Sequence, residues 1–246
     1  MASADLKGDG LTDFVLAEST GIQVLLGAGS NQLTAGQFLT NASNALALAD
    51  VNGDGKADLI LTTNNSTVSV LLGDGNGTFQ AAIKSNAGAS QGALAVGDFN
   101  GDGKADLAVI INGSLGVMLG DGTGHLAAPA KLFQLGSQPV SISVGDLNHD
   151  GKLDAVVANF GVFTQPASVF VLRGNNDGMF QPATQLVSVP KNAAPIDVEL
   201  ADLNGDGNLD IVVSNNNEVY ASIYLGKGDG IFQAPLRLTP PLPRRR

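Results

Sequence analysis

The sequence predicts an all-β fold, a β-propeller of five four-stranded antiparallel blades. Three observations carry the prediction. One Asp/Asn/Gly motif returns along the 246 residues at intervals of 45, 48, 48 and 56. Around each copy lie the same four short runs rich in Val, Ile and Leu, bounded by Gly and Asn. No stretch keeps an i, i+3, i+4 apolar pattern long enough for a helix. Four short strands recurring at about 45 residues is the signature of a propeller blade, whereas parallel β-helix coils repeat at much shorter periods. The repeats are approximately 1–43, 44–91, 92–138, 139–194 and 195–238, with a tail at 239–246, all within a single domain.

The elements follow the same order in each repeat. An apolar strand leads into the motif, as in Ala45–Ala49 or Ser141–Gly145, and a second follows it, as in Leu59–Thr62 or Leu107–Ile111. A polar Asn/Ser/Gly turn comes next, then a third strand such as Val68–Leu72 or Ser168–Leu172. A Gly-rich turn closes the unit before a fourth strand that opens with Phe-Gln, at Phe79-Gln80, Phe180-Gln181 and Phe232-Gln233. Only four residues precede Asp5, so the first strand of the first repeat is expected to be stunted or supplied from elsewhere. Five blades either close into a ring, the favoured reading, or form an open piece of a larger propeller.

The motif itself is clearest at Asp50-Val51-Asn52-Gly53-Asp54-Gly55-Lys56-Ala57-Asp58. Oxygen-bearing side chains stand at positions 1, 3, 5 and 9, with Gly at 6 where the backbone turns back. Three carboxylates on one small loop repel one another, which favours a hard cation with many oxygen ligands and points to calcium. The pattern returns at Asp98, Asn100, Asp102, Asp106; at Asp146, Asn148, Asp150, Asp154; and at Asp202, Asn204, Asp206, Asp210. An altered copy opens the chain at Asp5, Asp9 and Asp13, with Lys7 in place of the amide.

Charge follows the motif. Five loops with three Asp each hold 15 of the 23 acidic residues, and the remaining 8 face 13 Lys and Arg. The net charge of −10 therefore belongs to the loops and implies no basic partner. With no Cys there is neither a disulfide nor a thiolate metal site. No run of eighteen apolar residues is present, so no transmembrane helix and no membrane insertion are expected. The N-terminus has no basic n-region or apolar h-region, and so no signal peptide is read in the chain as given.

Blades with Asp-x-Asn-x-Asp-Gly-x-x-Asp between their first two strands, followed by a Leu-Gly-x-Gly-x-Gly-x-Phe-like turn, resemble FG-GAP/VCBS repeats. These repeats build the integrin α-subunit propeller and occur in many bacterial secreted proteins. The resemblance covers essentially the whole chain. It implies a propeller with about four calcium ions, five if the first loop also binds, and it does not imply an enzyme. Family propellers usually have seven or so blades, so five repeats is a departure.

Carried over position by position, the resemblance adds a backbone carbonyl ligand at position 7 of each loop: Lys56, Lys104, Lys152 and Asn208. In the first loop the Lys7 ammonium either neutralises Asp5, Asp9 and Asp13 or swings out and leaves a weaker metal site. A helical EF-hand begins alike but needs Glu at position 12. Leu61, Val109, Val157 and Val213 stand there instead, inside apolar strands. The position-9 Asp is therefore expected to complete the ligand shell.

The turn Gly73-Asp74-Gly75-Asn76-Gly77 invites comparison with phosphate-binding loops, but a strand follows it and not a helix N-terminus. Its glycines serve turn positions with positive φ. His125 and His149 sit in turns, and Glu18, Glu199 and Glu218 lie in separate repeats without a recurrent partner. No catalytic constellation assembles.

Strand order puts the Asp loops and the Gly-rich turns on one face and the second-to-third loops on the other. The second face gathers Asn64-Asn65-Ser66, Asn112-Gly113, Asn215–Glu218 and the long stretch 159–166, which holds Phe160 and Phe163. These aromatics either stack on a partner or tuck into the neighbouring blade. The expected function is a calcium-stabilised binding or adhesion module, secreted or at the cell surface, with a protein or carbohydrate ligand and no nucleic acid. Self-association is expected if the ring is open. The rival readings are a lyase-like carbohydrate-active enzyme and a structural segment of a larger surface protein.

Overall fold

Every repeat folds into a four-stranded antiparallel meander in which each strand pairs with the next. The structure is a computed structural model. It describes residues 1–246 apart from 42, 64, 65, 89, 90, 137, 162–165, 186–188, 190–193, 217–219 and 239–246. The first sheet holds β1 (Ala2–Ala4), β2 (Asp13–Glu18), β3 (Gly21–Gly27) and β4 (Leu33–Leu39). The second holds β5 (Ala45–Ala49), β6 (Asp58–Thr62), β7 (Thr67–Leu71) and β8 (Ile83–Asn86). The third holds β9 (Gln91–Gly97), β10 (Asp106–Ile111), β11 (Ser114–Met118) and β12 (Leu132–Gln134). In the fourth are β13 (Pro139–Gly145), β14 (Asp154–Asn159), β15 (Ser168–Leu172) and β16 (Thr184–Gln185). The fifth consists of β17 (Pro195–Ala201), β18 (Asp210–Asn215), β19 (Ala221–Tyr224) and β20 (Leu236–Leu238). No helix occurs among the described residues. The all-β propeller-blade architecture expected from the repeats is present, including a three-residue β1.

The chain divides into two compact units, Met1–Leu132 and Phe133–Arg246. In the first unit, Leu6, Val15, Ile22 and Val24 pack against Leu59, Leu61, Leu71 and Phe79. A second core sets Val51, Ile60, Val68 and Val70 against Leu107, Val109, Ile111 and Met118. Alternation along β6 sends Leu59 and Leu61 to one core and Ile60 to the other. That is why β6 is buried throughout and reads as an unbroken apolar run. In the second unit, Leu147, Val156, Ala158, Val169 and Val171 meet Val198, Ile211, Val213 and Tyr224.

The outer strands differ from expectation in one respect. Phe79, Phe180 and Phe232 form isolated bridges to Gly73, Gly174 and Gly226, and the fourth strand starts several residues later. Pro182 and Pro235 follow directly in the fourth and fifth repeats. A proline supplies no N–H to the ladder, but the second repeat shows the same lapse over 80–82 with no proline there. Phe79 remains 5% exposed within the core between the first two sheets. There Gln37 clamps its backbone, accepting its N–H at 2.7 Å and donating to its carbonyl at 3.2 Å.

Candidate metal centre

Each Asp loop lies between the first and second strands of its sheet, and its residues are held by the loop's own amides. In the second repeat the Asp50 carboxylate accepts N–H bonds from Gly53 at 2.8 Å, Asp54 at 3.2 Å and Gly55 at 2.8 Å. Asn52 Oδ1 accepts the Asp54 N–H at 3.0 Å, and Asp54 Oδ1 accepts the Lys56 N–H at 3.0 Å. The same bonds recur from Asp98, Asn100 and Asp102, from Asp146, Asn148 and Asp150, and from Asp202, Asn204 and Asp206. Such turns require left-handed backbone at the sixth position, where Gly55 has a φ of 79°.

The position-9 aspartates do something the sequence did not announce. Asp13, Asp58, Asp106, Asp154 and Asp210 are all buried, at 0–1% exposure. One oxygen of Asp58 accepts the Val51 N–H at 2.9 Å, and the other accepts the Gly73 N–H at 2.8 Å. Asp106 holds Phe99 and Gly120 in this way, Asp154 holds Leu147 and Gly174, Asp210 holds Leu203 and Gly226, and Asp13 holds Leu6 and Gly27. The carboxylate thus ties the start of the Asp loop to the first glycine of the Gly-rich turn. That glycine admits no side chain, because a Cβ on Gly73 would lie 2.2 Å from the Ala57 carbonyl oxygen. The signal in the sequence is a glycine 14 to 20 residues beyond each position-9 Asp.

Electrostatics separate the carboxylates of a loop. Burial pushes Asp58, Asp106 and Asp154 above the ordinary carboxylate range, and the neighbouring loop carboxylates push further, Asp54 and Asp50 in the case of Asp58. Asp202 is held below that range, chiefly by the Gly207 N–H, and Asp5 by the Gly10 N–H. The Lys56, Lys104 and Lys152 ammoniums stand 3.4, 3.9 and 3.7 Å from Asp54, Asp102 and Asp150.

The first loop departs from the others. Lys7 Nζ bonds Asp9 Oδ2 at 2.6 Å and the Gly27 carbonyl at 2.8 Å, so an ammonium lies on the carboxylate at position 5. In the fourth loop His149 takes the left-handed fourth position, with a φ of 59°. Its Nε2 lies 3.0 Å from Asn208 Oδ1 of the next loop, which gives it a structural role.

As a donor set, three carboxylates and an amide carbonyl per loop fit a hard divalent cation with oxygen ligands. The carboxylates at positions 1 and 5 lie close enough to position 9 to disfavour its charge, the repulsion such an ion relieves. Among the described residues, no three His, Cys, Asp or Glu side chains converge on one point.

On the opposite face Phe160 is half-buried at the end of β14, with its N–H on the Gln138 carbonyl at 2.9 Å. Phe163 lies outside the described residues, as do Asn64, Asn65, Asn217 and Glu218. Asn112-Gly113 makes a two-residue turn with positive φ at both positions, pairing Ile111 with Ser114.

A model of FG-GAP-like repeats matches the chain four times, at residues 5–61, 50–109, 98–157 and 160–213. Similar solved structures include an Agrocybe aegerita lectin described as recognising non-reducing terminal N-acetylglucosamine. It is 19% identical, has a TM-score of 0.50, and the match covers 96% of this chain and 79% of that one. BBS1N in complex with ARL6DN is 17% identical with a TM-score of 0.62, over 96% of this chain and 67% of that one. The Tc holotoxin pore of Photorhabdus luminescens is 21% identical with a TM-score of 0.52. That match covers 98% of this chain and only 12% of the toxin chain. At these identities the likeness is one of fold. A search of curated protein sequences gives no match.

Proposed function

The chain belongs to the FG-GAP-like repeat family, and from that membership we propose that it is a calcium-stabilised propeller module that binds a protein or glycan through the face opposite its Asp loops. The observation that carries this reading is the repeated tie from position-9 Asp to loop and turn. In all five repeats it commits the Asp-loop face to holding strands together. The second-to-third connections differ from one repeat to the next. They run from the two-residue turn at Asn112-Gly113 to the long stretch after Asn159. Variable loops on a rigid scaffold are where recognition concentrates.

Asp50, Asn52, Asp54 and Asp58, with their counterparts in the next three repeats and the position-7 carbonyls, would hold the ion. Its contribution is to neutralise carboxylates that otherwise repel and to favour the folded state. We propose that the module works outside the cell, where calcium modules function at weak affinity. Among the described residues no helix is long and apolar enough to cross a membrane. The family match and the lectin and protein-bound neighbours favour a binding or structural module over an enzyme.

The test is an array of immobilised glycans and extracellular proteins, probed with the native chain, Phe160→Ser and Asn76→Arg. Binding is expected to survive the change on the Asp-loop face at Asn76 and to fall at least tenfold with Phe160→Ser. Loss with Asn76→Arg and retention with Phe160→Ser would overturn the assignment of the face.

A further inference from the structure

The first and second sheets, and likewise the fourth and fifth, meet through the same joint, and each half of that joint recurs at a half-exposed leucine. In the first unit the position-2 residue Leu6 is 4% exposed, and its carbonyl accepts the Gly77 N–H from the next Gly-rich turn at 3.1 Å. Phe79, which ends that turn, is 5% exposed in the same core. In the second unit Leu147 is 3% exposed, and its carbonyl accepts the Gly230 N–H at 3.1 Å. A joint therefore consists of a loop leucine with its carbonyl, and a turn that supplies an N–H and an apolar residue.

The loop of the last repeat carries Leu203 at position 2, and it is 50% exposed. The turn of the first repeat ends in Leu33, 49% exposed, at the place that Phe79 occupies in the second. Beside it Leu11, Phe14, Gly29, Asn31 and Leu33 line a hollow of about 370 Å³. In that turn the Ala28 N–H bonds the Gln32 carbonyl as the Asp74 N–H bonds that of Thr78, which aligns Asn31 with Gly77. One end thus offers a loop leucine and a carbonyl, and the other a hollow and an N–H.

We propose that the chain associates head to tail with a second copy, Leu203 of one copy entering the hollow beside Leu33 of the other. The contact is heterologous, so it leaves one free half at each end and extends to further copies unless it closes. Charge permits it: the turn Ala28–Gln32 has no charged residue to oppose Asp202 and Asp206. Asn31 also sets its strength. A Cβ on Gly77 would lie 2.6 Å from a Leu26 methyl. Asn31 carries that Cβ, so its neighbour must withdraw, and the joint between copies is looser than the joints within a unit.

The experiment is sedimentation velocity over a concentration series with the 246-residue chain, Leu33→Asp, Leu203→Ser and Asn31→Gly. Both leucines are half exposed, so neither change threatens folding, and circular dichroism checks this. The native chain is expected to associate as concentration rises, each leucine variant alone to remain monomeric, and Asn31→Gly to associate at lower concentration. An equimolar mixture of the two leucine variants retains one intact joint and is expected to stop at dimers. A native chain that stays monomeric, a leucine variant that associates like the native chain, or a mixture that stays monomeric overturns the proposal.

Discussion

Gly73 donates its backbone N–H to the buried carboxylate of Asp58 at 2.8 Å from fifteen residues away, and the other Asp58 oxygen holds the Val51 N–H. Removing the carboxylate strands two buried donors, each costing about 1–3 kcal/mol. Asp58→Ala is therefore expected to destabilise the chain by about 3 kcal/mol in urea melts run with chelator present. Asp54→Ala, an exposed change in the same loop, should stay within about 0.5 kcal/mol under those conditions. Equal costs for the two would show that Asp58 acts only through metal.

The glycines of the two turns should respond differently to alanine. Gly73→Ala drives a Cβ to 2.2 Å from the Ala57 carbonyl oxygen, so the backbone must shift, at about 2–3 kcal/mol. Gly55→Ala meets nothing within 4 Å and incurs only the left-handed backbone cost of its φ of 79°, about 1 kcal/mol. Thermal denaturation of the pair reads this order directly, and a reversed order would mean that the Asp58 tie does not hold the turn in place.

What was legible in the sequence was whatever repeats locally. The strands, the Asp loops and the face that each loop occupies follow from spacing within some fifteen residues. The tie from Asp58 to Gly73 was not legible, because Asp at position 9 reads equally well as a ligand, and only the fold shows its oxygens taken by amides. Leu147 and Leu203 make the point for burial. They are the same residue type at the same motif position, yet one is 3% exposed and the other 50%, since burial depends on whether a neighbouring sheet covers the loop. The contact between His149 and Asn208 joins residues 59 apart, and no local pattern signals it.

Calcium should raise stability. At a free concentration a hundredfold above its dissociation constant, an ion that binds only the folded state contributes about 2.7 kcal/mol per site. Scanning calorimetry with millimolar calcium, and again with EGTA, is expected to separate the two midpoints by several degrees, with magnesium much less effective. An unchanged midpoint would remove calcium from the proposed function.

Tyr224 gives the chain an alkaline limit. Its phenol is 2% exposed, and burial pushes its pKa up to about 12. In the unfolded chain a tyrosine ionises near pH 10. Between about pH 10 and 12 the unfolded state gives up a proton that the folded state keeps. The contribution is complete below pH 10 and declines as pH rises, by up to about 1.4 kcal/mol per unit. Subtracting the phenolate absorbance titration of Tyr224→Phe from that of the native chain should leave one step near pH 12, and a step near 10 would refute the buried environment.

The first loop supplies a count that can be changed by one residue. Lys7 Nζ lies on Asp9 Oδ2 at 2.6 Å and on the Gly27 carbonyl at 2.8 Å, at the position where the other four loops carry an asparagine carbonyl. A cation entering that loop must displace an ammonium already paired with one of its carboxylates. The Asp9 contact also raises the pKa of Lys7, so neutral pH does not discharge it. The native chain is thus expected to bind four calcium ions and Lys7→Asn five, as counted by equilibrium dialysis with metal analysis. Five ions on the native chain, or four on the variant, would mean that Lys7 does not govern the first loop.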